Sequence, residues 1–155
     1  MERVDEIDLK ILNLLQRDSR ASFSKIASSL KITTGTAYNR VRSLEDRGIL
    51  KGYTIMLDPA KLGYTLTAII MIQAEGKHIV DAEKEIAKMK DAICVYDITG
   101  DFDIAVIARF RDTSGLNSFV KKLLTLPYIR RTVTNVVLNV VKEDFRINLS
   151  QSIEG

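Results

Sequence analysis

The chain has 155 residues, with 23 lysines and arginines against 20 aspartates and glutamates, so its formal net charge is +3. A hydrophobic content of 46% with one cysteine and one histidine is typical of a globular protein and argues against a disulfide framework, a cysteine-based metal site and Cys–His catalysis. No apolar run reaches the ~18 residues of a membrane span and no signal-peptide core is present, so we expect one or two cytoplasmic domains and no membrane partner.

Positive charge is concentrated in the first third of the chain. Seven basic and two acidic residues lie between Arg20 and Lys51, whereas 13 basic and 12 acidic residues follow from Lys61 onward. Such a surplus favours a surface that faces phosphates, although a solvated basic face would give the same count. Since no nucleophile and base occur in a catalytic pattern, we expect no enzyme and no cofactor.

The N-terminal third is predicted to form three short helices. Apolar residues recur with helical spacing over residues 5–18 and 22–30, and Thr33 is a suitable N-cap for a third helix that ends near Arg47. Three helices with a tight turn between the last two are typical of a helix-turn-helix unit. We therefore assign residues 1–50 to a DNA-binding domain.

A second domain with a different pattern follows. Residues 49–57 are predicted as a strand, 51–63 as the linker, and 64–155 as an effector-binding and oligomerisation domain. Its predicted elements are a strand at 65–75, a helix at 78–90, strands at 93–99 and 103–110, a helix at 114–126 capped by Ser114, and a strand at 130–141. This βαββαβ order is that of a ferredoxin-like sheet, so the predicted fold class is α+β.

A sheet of this kind carries its helices on one face and leaves the other face uncovered. The segments AIIMI at 68–72 and VVLNVV at 136–141 are apolar on both sides of their strands. We therefore expect a homodimer in which a second copy covers the open face.

The third helix offers an outward face of polar side chains. Ala37, Val41 and Leu44 have the spacing of a core stripe, so the opposite face is exposed. Phenol, amide, guanidinium and hydroxyl groups on that face and in the first turn suit base edges and phosphates, whereas a plain three-helix bundle is the alternative. The predicted DNA-binding residues are Thr33, Thr34, Thr36, Tyr38, Asn39, Arg40 and Arg42.

Three segments resemble a known family. Asn39-Arg-Val-Arg-Ser-Leu-Glu-Asp-Arg-Gly-Ile-Leu-Lys-Gly-Tyr, followed by Leu57-Asp-Pro, resembles the signature of the Lrp/AsnC transcription regulators. Asp5-Glu-Ile-Asp-Leu-Lys-Ile-Leu is similar to their first helix, and Thr99-Gly-Asp-Phe-Asp to the glycine–acid motif of their effector domain. The resemblance implies a regulator that binds double-stranded DNA and senses an amino acid or a related metabolite, and it allows dimers to build an octamer.

The glycine–acid turn is the predicted effector site. Free backbone groups beside carboxylates suit a zwitterion, although an ordinary hairpin would also explain Gly100 and Asp101. Asp103 stands before the apolar run at 104–108 and needs a partner. A metal held by Asp97, Asp101 and Asp103 is disfavoured, because hard cations recruit more oxygen ligands, so we expect no metal.

The resemblance also implies where the effector residues lie. In such proteins the loop lines a site between subunits, the last strand contributes from the partner, and a helix stripe, otherwise simply solvated, closes a neighbour's pocket. Carried onto this chain, the effector-binding residues are Ile98, Thr99, Gly100, Asp101, Phe102, Asp103 and Ile104 in the loop, Ser118 and Lys122 on the helix, and Val133, Thr134 and Asn135 in the last strand.

A different class of function gives the same pattern. A metabolite-binding regulatory module would dock its N-terminal helices on an enzyme or other protein instead of on DNA. Salt dependence separates the two, because DNA binding weakens steeply with salt through counterion release and protein docking does not.

Overall fold

The computed structural model describes residues 4–149 and separates the chain into two compact units. Among the described residues, the helical unit comprises 4–56 and 143–149, and the sheet unit comprises Leu57–Lys142. Within residues 4–149, no helix combines the length and the apolar character that crossing a membrane requires.

Three helices form the helical unit: α1 (Glu6–Arg17), α2 (Phe23–Leu30) and α3 (Thr34–Asp46). Each begins at a side-chain N-cap that accepts a backbone N–H of the first turn, and these caps are Asp5, Ser22 and Thr33. The cap predicted at Thr33 is confirmed. The core consists of apolar side chains from all three helices: Ile11, Leu15, Ile26, Ala27, Ala37, Val41 and Leu44.

A three-residue turn joins α2 to α3 and sets the direction of α3. Lys31 ends α2 in the left-handed conformation, with φ 55° and ψ 43°. The N–H of Ile32 then donates to the carbonyl of Ala27 at 3.1 Å, which satisfies a carbonyl at the end of the helix. The chain reverses within this turn, and Thr33 starts α3 at once.

The sheet unit follows the predicted βαββαβ order. Its elements are β1 (Leu66–Ala74), α4 (Ile79–Ala87), β2 (Ala92–Asp97), β3 (Ile104–Phe110), α5 (Thr113–Leu124) and β4 (Ile129–Val136). The strands pair antiparallel in the order β2-β3-β1-β4, and the predicted α+β fold class is confirmed. Alternate residues of the two central strands are buried against the helices. The core includes Ile70, Ile72, Ile104 and Val106 of these strands, Ile86 of α4 and Leu123 of α5.

Two strand predictions are wrong because strands need neighbours. Residues 51–58 have no ladder partner within residues 4–149, so the strand predicted at 49–57 is absent. The last strand ends at Val136, where residue 141 was predicted. The N–H of Val137 still donates to the Thr67 carbonyl at 2.9 Å, but the pairing goes no further, although Leu66 remains at the start of β1.

Both helices of the sheet unit differ from their predicted starts. The cap of α5 is Asp112 rather than Ser114, because the Asp112 Oδ1 accepts the Gly115 N–H at 2.8 Å. A short 3-10 turn at Gly76–His78 precedes α4, which therefore begins at Ile79.

Residues 143–149 lie with the helical unit, although residues 64–155 form one domain in the prediction. The segment from Glu143 onward belongs to the unit of α1, α2 and α3, and Gln16 of α1 hydrogen-bonds the backbone of Ile147. A contact between residues 131 positions apart leaves no trace in local sequence patterns.

Candidate nucleic-acid interface and effector site

The outer face of α3 carries three of the predicted DNA-binding side chains. Burial of the core stripe fixes the rotation of the helix, since Ala37 and Leu44 are completely inaccessible to solvent. Tyr38 is 47% exposed, Asn39 is exposed, and the Arg42 side chain is 56% exposed. These three residues therefore lie together on an exposed surface of α3 that could enter a groove of DNA.

An aromatic neighbour holds Tyr38 in place. Its ring meets the ring of Phe23 edge to face, with centroids 5.3 Å apart and an interplanar angle of 86°. Such pairs favour one orientation of the two rings, so the contact with Phe23 restricts the direction in which the Tyr38 hydroxyl points.

Arg42 has an acidic partner that the sequence prediction missed. Its Nη1 lies 3.2 Å from Oε2 of Glu45, and the hydrogen bond to this carboxylate is the main reason why the pKa of Arg42 is raised. The other oxygen of Glu45, Oε1, accepts a hydrogen bond of 3.0 Å from the hydroxyl of Tyr53. Burial, and then this hydrogen bond, raises the pKa of Tyr53. The spacing of Arg42 and Glu45 was visible in the sequence, but the role of Tyr53 was not.

Arg40 is engaged inside the unit. Its Nη1 lies 2.6 Å from Oδ2 of Asp5 and 2.8 Å from Oδ1 of Asp8, which is only 6% exposed. Hydrogen bonds to Asp5 and then Asp8 raise the pKa of Arg40. Burial opposes ionisation of Asp5, but bonds from the Asp8 N–H and from Arg40 outweigh it and lower the pKa of Asp5. Arg40 thus joins α3 to the start of α1.

The threonines of the first turn of α3 differ in their contacts. The Thr33 hydroxyl accepts the Thr36 N–H at 3.1 Å and lies 2.8 Å from the Thr36 hydroxyl. Both groups therefore belong to the cap of the helix. The side chain of Thr34 is exposed. Of the three predicted threonines, Thr34 is the one best placed for an external phosphate.

The loop between β2 and β3 is closed by backbone hydrogen bonds. The Ile98 N–H donates to the Asp103 carbonyl at 2.9 Å, and the Asp103 N–H donates to the Ile72 carbonyl at 3.0 Å. Gly100 has φ +117°, which other residues rarely adopt, and Asp101 next to it is exposed. The guanidinium of Arg131 lies 6.0 Å from the ring centroid of Phe102.

Asp103 has the partner that its position required. Its Oδ2 accepts the N–H of Ala74 at 2.8 Å, where the pairing of β1 and β4 shifts register between Gln73 and Ala74. An irregularity of this kind frees a backbone N–H from the ladder, and here a carboxylate binds it. Asp103 therefore supports β1, and its place in an effector site stays a prediction.

The three aspartates considered for a metal lie in different surroundings. Burial, and then the nearby charge of Asp97, raises the pKa of Glu83 on α4. Asp101 is exposed, and Asp103 binds Ala74. Among the described residues, no three side chains of metal-binding type come together.

The remaining predicted effector residues are spread over the sheet unit. Val133 and Asn135 pair with Met71 and Ile69 on the uncovered face, whereas Thr134 pairs with buried Ile70 and lies on the helix side. Ser118 and Lys122 line a separate pocket of about 680 Å³ on α5, and its other lining residues, which include Tyr64, Lys90 and Arg111, are absent from the prediction. Neither the loop at 98–104 nor the predicted residues of the last strand line the pocket of Ser118 and Lys122.

Family models match both parts of the chain. The AsnC-type helix-turn-helix domain matches residues 4–45, and the Lrp/AsnC ligand binding domain matches residues 67–147. These matches cover α1, α2 and most of α3 in the first case, and the sheet with its helices in the second.

Relatives are described in the same terms. An HTH-type transcriptional regulator of Pyrococcus furiosus is 50% identical over 144 residues, which cover 93% of this chain and 97% of the relative. The HTH-type transcriptional regulator FL11 of Pyrococcus horikoshii is 32% identical over 140 residues, or 90% and 93% of the two chains.

Solved structures share the fold. A transcriptional regulator of Neisseria meningitidis in complex with L-methionine superposes with a TM-score of 0.88 at 24% identity, covering 96% of this chain and 98% of the other. A feast or famine regulatory protein of M. tuberculosis, also complexed with L-methionine, gives a TM-score of 0.86 at 24% identity, covering 94% and 99%. The chain belongs to the Lrp/AsnC family of transcriptional regulators, with an AsnC-type helix-turn-helix domain and an Lrp/AsnC ligand-binding domain.

Proposed function

We propose that the helical unit binds a specific sequence in double-stranded DNA through the outer face of α3. One observation carries the proposal: the buried stripe of α3 fixes its rotation, so Tyr38, Asn39 and Arg42 point away from the core. The local surplus of basic residues favours the approach of phosphates to the same unit.

The side chains take different roles in this proposal. The amide of Asn39 suits the paired donor and acceptor of an adenine edge, and the guanidinium of Arg42 suits guanine or a phosphate. Thr34 binds a phosphate at the start of α3. Arg40 anchors α3 through Asp5 and Asp8 and makes no base contact.

An operator selected from random duplexes allows a direct test. Asn39→Ala should weaken operator binding about tenfold, since a paired amide–base contact contributes ~1–3 kcal/mol. The same change at exposed Asn117 on α5 is the matched control and should have no effect. Wild-type affinity of the Asn39 variant would exclude Asn39 from the base contacts, and binding that does not depend on salt would favour docking on a protein instead.

We further propose that the β2–β3 loop binds an amino acid at an interface between subunits. The L-methionine complexes of two structural neighbours support an amino-acid ligand. Because Oδ2 of Asp103 is engaged by Ala74, exposed Asp101 is the carboxylate we assign to the ligand ammonium. Val133 and Asn135 join this site from the partner, and Ser118 and Lys122 join it from a neighbouring dimer in an octamer.

Thermal stability in the presence of each of the twenty amino acids tests this site, because a ligand that binds only the folded state raises the melting temperature. The amino acid that gives the largest shift should lose most of its effect in Asp101→Asn. An equal shift in that variant would move the site away from the loop.

The uncovered face of the sheet supports a homodimer. Ile69, Met71, Ala105, Ile107 and Val133 lie side by side there, as their strand registers require. Ile69 remains 39% exposed in a single chain. Covering this apolar centre with a second copy removes it from water.

A further inference from the structure

The last turn of α3 and the segment that follows it share one carboxylate. Glu45 binds Arg42 through Oε2 at 3.2 Å and Tyr53 through Oε1 at 3.0 Å. The Glu45 side chain is only 27% exposed, whereas that of Arg42 is 56% exposed. Glu45 is thus the innermost member of a chain of three side chains, since Tyr53 is also 51% exposed.

We propose that Glu45 and Tyr53 are positioning residues that hold Arg42 in its DNA-binding orientation. This inference rests on the proposed function, in which Arg42 contacts the operator. Neither Glu45 nor Tyr53 touches DNA in this proposal, and both act through the guanidinium.

The argument begins with the freedom of the arginine. A long exposed side chain has many rotamers, and a contact with DNA must order it. A carboxylate on the same helix restricts the guanidinium before DNA arrives, but glutamate is itself flexible. The second hydrogen bond, from Tyr53, fixes the glutamate. Preorganisation of this kind increases specific affinity because the side chain loses less conformational freedom on binding.

The segment that carries Tyr53 is itself attached to α3. The N–H groups of Ile49 and Leu50 both donate to the carbonyl of Leu44 at 3.0 Å. The ring of Tyr53 therefore starts from a fixed backbone, and its hydroxyl reaches back to Glu45. Residues 51–56 lead covalently into the sheet unit. If the conformation of this segment changes, the position of Arg42 changes with it through the Tyr53–Glu45 and Glu45–Arg42 hydrogen bonds.

The charges of Arg42 and Glu45 should affect binding to operator and to random DNA in different ways. An exposed ion pair three residues apart on a helix adds little to stability. A negative charge beside a DNA-facing arginine also weakens attraction to phosphates of any sequence. Glu45→Gln should therefore increase affinity for random duplexes while lowering the ratio of operator to random affinity. A purely structural role would change neither quantity in this way.

Tyr53→Phe is the sharpest variant, because it removes one hydroxyl and keeps the ring. The full chain is measured against the selected operator and against random duplexes, as wild type, Tyr53→Phe, Arg42→Ala and the double variant. We expect Tyr53→Phe to lose about three- to tenfold in operator affinity, with random affinity and melting temperature unchanged. The double variant should lose no more than Arg42→Ala alone.

The outcomes separate this proposal from the one beneath it. If Arg42→Ala binds the operator like wild type, the assignment of Arg42 to DNA fails. If Arg42→Ala weakens binding but Tyr53→Phe does not, or if the two losses multiply in the double variant, the positioning role is overturned. Equal losses for operator and random DNA in Tyr53→Phe overturn it as well. Tyr128→Phe, between α5 and β4 of the sheet unit, is the control for loss of a tyrosine hydroxyl.

Discussion

The side-chain amide of Gln16 pairs with the backbone of Ile147 in both directions. Its Nε2 donates to the Ile147 carbonyl at 3.1 Å, and the Ile147 N–H donates to its Oε1 at 2.8 Å. An amide side chain offers the same donor and acceptor as a peptide group, so Gln16 makes the two hydrogen bonds to Ile147 that a paired strand residue would make. The end of the described chain is held to α1 in this way.

Gln16→Ala should release this segment without unfolding the helices. The amide hydrogen of Ile147 loses its acceptor, so its exchange with solvent should become fast, while amides in the core of α1 keep their protection. Hydrogen exchange at single-residue resolution measures both. Arg17→Ala, one position along α1, should leave Ile147 protected; fast exchange in that variant too would mean that α1 as a whole holds the segment.

Asp5 should make the helical unit sensitive to acid. Its pKa lies below the ordinary 3.8 in the folded state, so the folded state binds fewer protons than the unfolded chain. Its contribution to stability is therefore present above pH 3.8 and is lost as the pH falls through the folded value. Urea unfolding should show wild type more stable than Asp5→Asn at pH 7, with a difference that shrinks below pH 3.8. A difference that stays constant with pH would exclude this titration.

Asp103 and Asp101 should separate stability from ligand binding. Asp103→Ala leaves the buried N–H of Ala74 without its acceptor and should lower the free energy of unfolding by about 1–3 kcal/mol. Asp103→Asn keeps an acceptor oxygen and should recover most of this loss. Asp101→Ala should leave unfolding unchanged, because the side chain is exposed. Chemical denaturation of the three variants measures these free energies of unfolding. An Asp103→Ala protein as stable as wild type would contradict the supporting role of Asp103 in β1 and leave only its predicted role in the effector site.

A charge at the centre of the uncovered face should break the proposed dimer. Ile69→Asp places a carboxylate where two apolar surfaces would meet, and its burial there is unfavourable. Sedimentation at micromolar concentration should show a folded monomer, whereas wild type should sediment as a dimer or a larger species. Lys84→Asp on the exposed side of α4 is the control. A wild-type monomer would contradict the proposal directly.

Local signals in the sequence were sufficient for the helices and for the order of the strands. A cap such as Thr33 acts on an N–H three residues away, and core stripes repeat every three or four residues, so both appear in a short window. The strand boundaries depended on neighbours instead. The pairing of the last strand with β1 ends near Val137, whereas the sequence stays mostly apolar up to residue 141, so no pattern within residues 130–141 marks that boundary.

The candidate sites show the same division. The outward face of α3 followed from helical periodicity, but the engagement of Arg40 did not, because its partner Asp5 lies 35 residues away. Asp103 was recognised as an acid in need of a partner. That the partner is the backbone of Ala74, 29 residues away, depends on how β1 and β4 pair.

The division of the chain at Met56 and Glu143 makes the sheet unit an insertion within the helical unit. If relatives exchanged the helix-turn-helix part of the helical unit by a single recombination near Met56, α1 would contact a C-terminal segment from a different protein. Recombination that preserves the helical unit must move two pieces of sequence together. Gln16 and the segment around Ile147 should therefore be inherited as a pair, although the whole sheet unit, Leu57–Lys142, lies between them in the sequence.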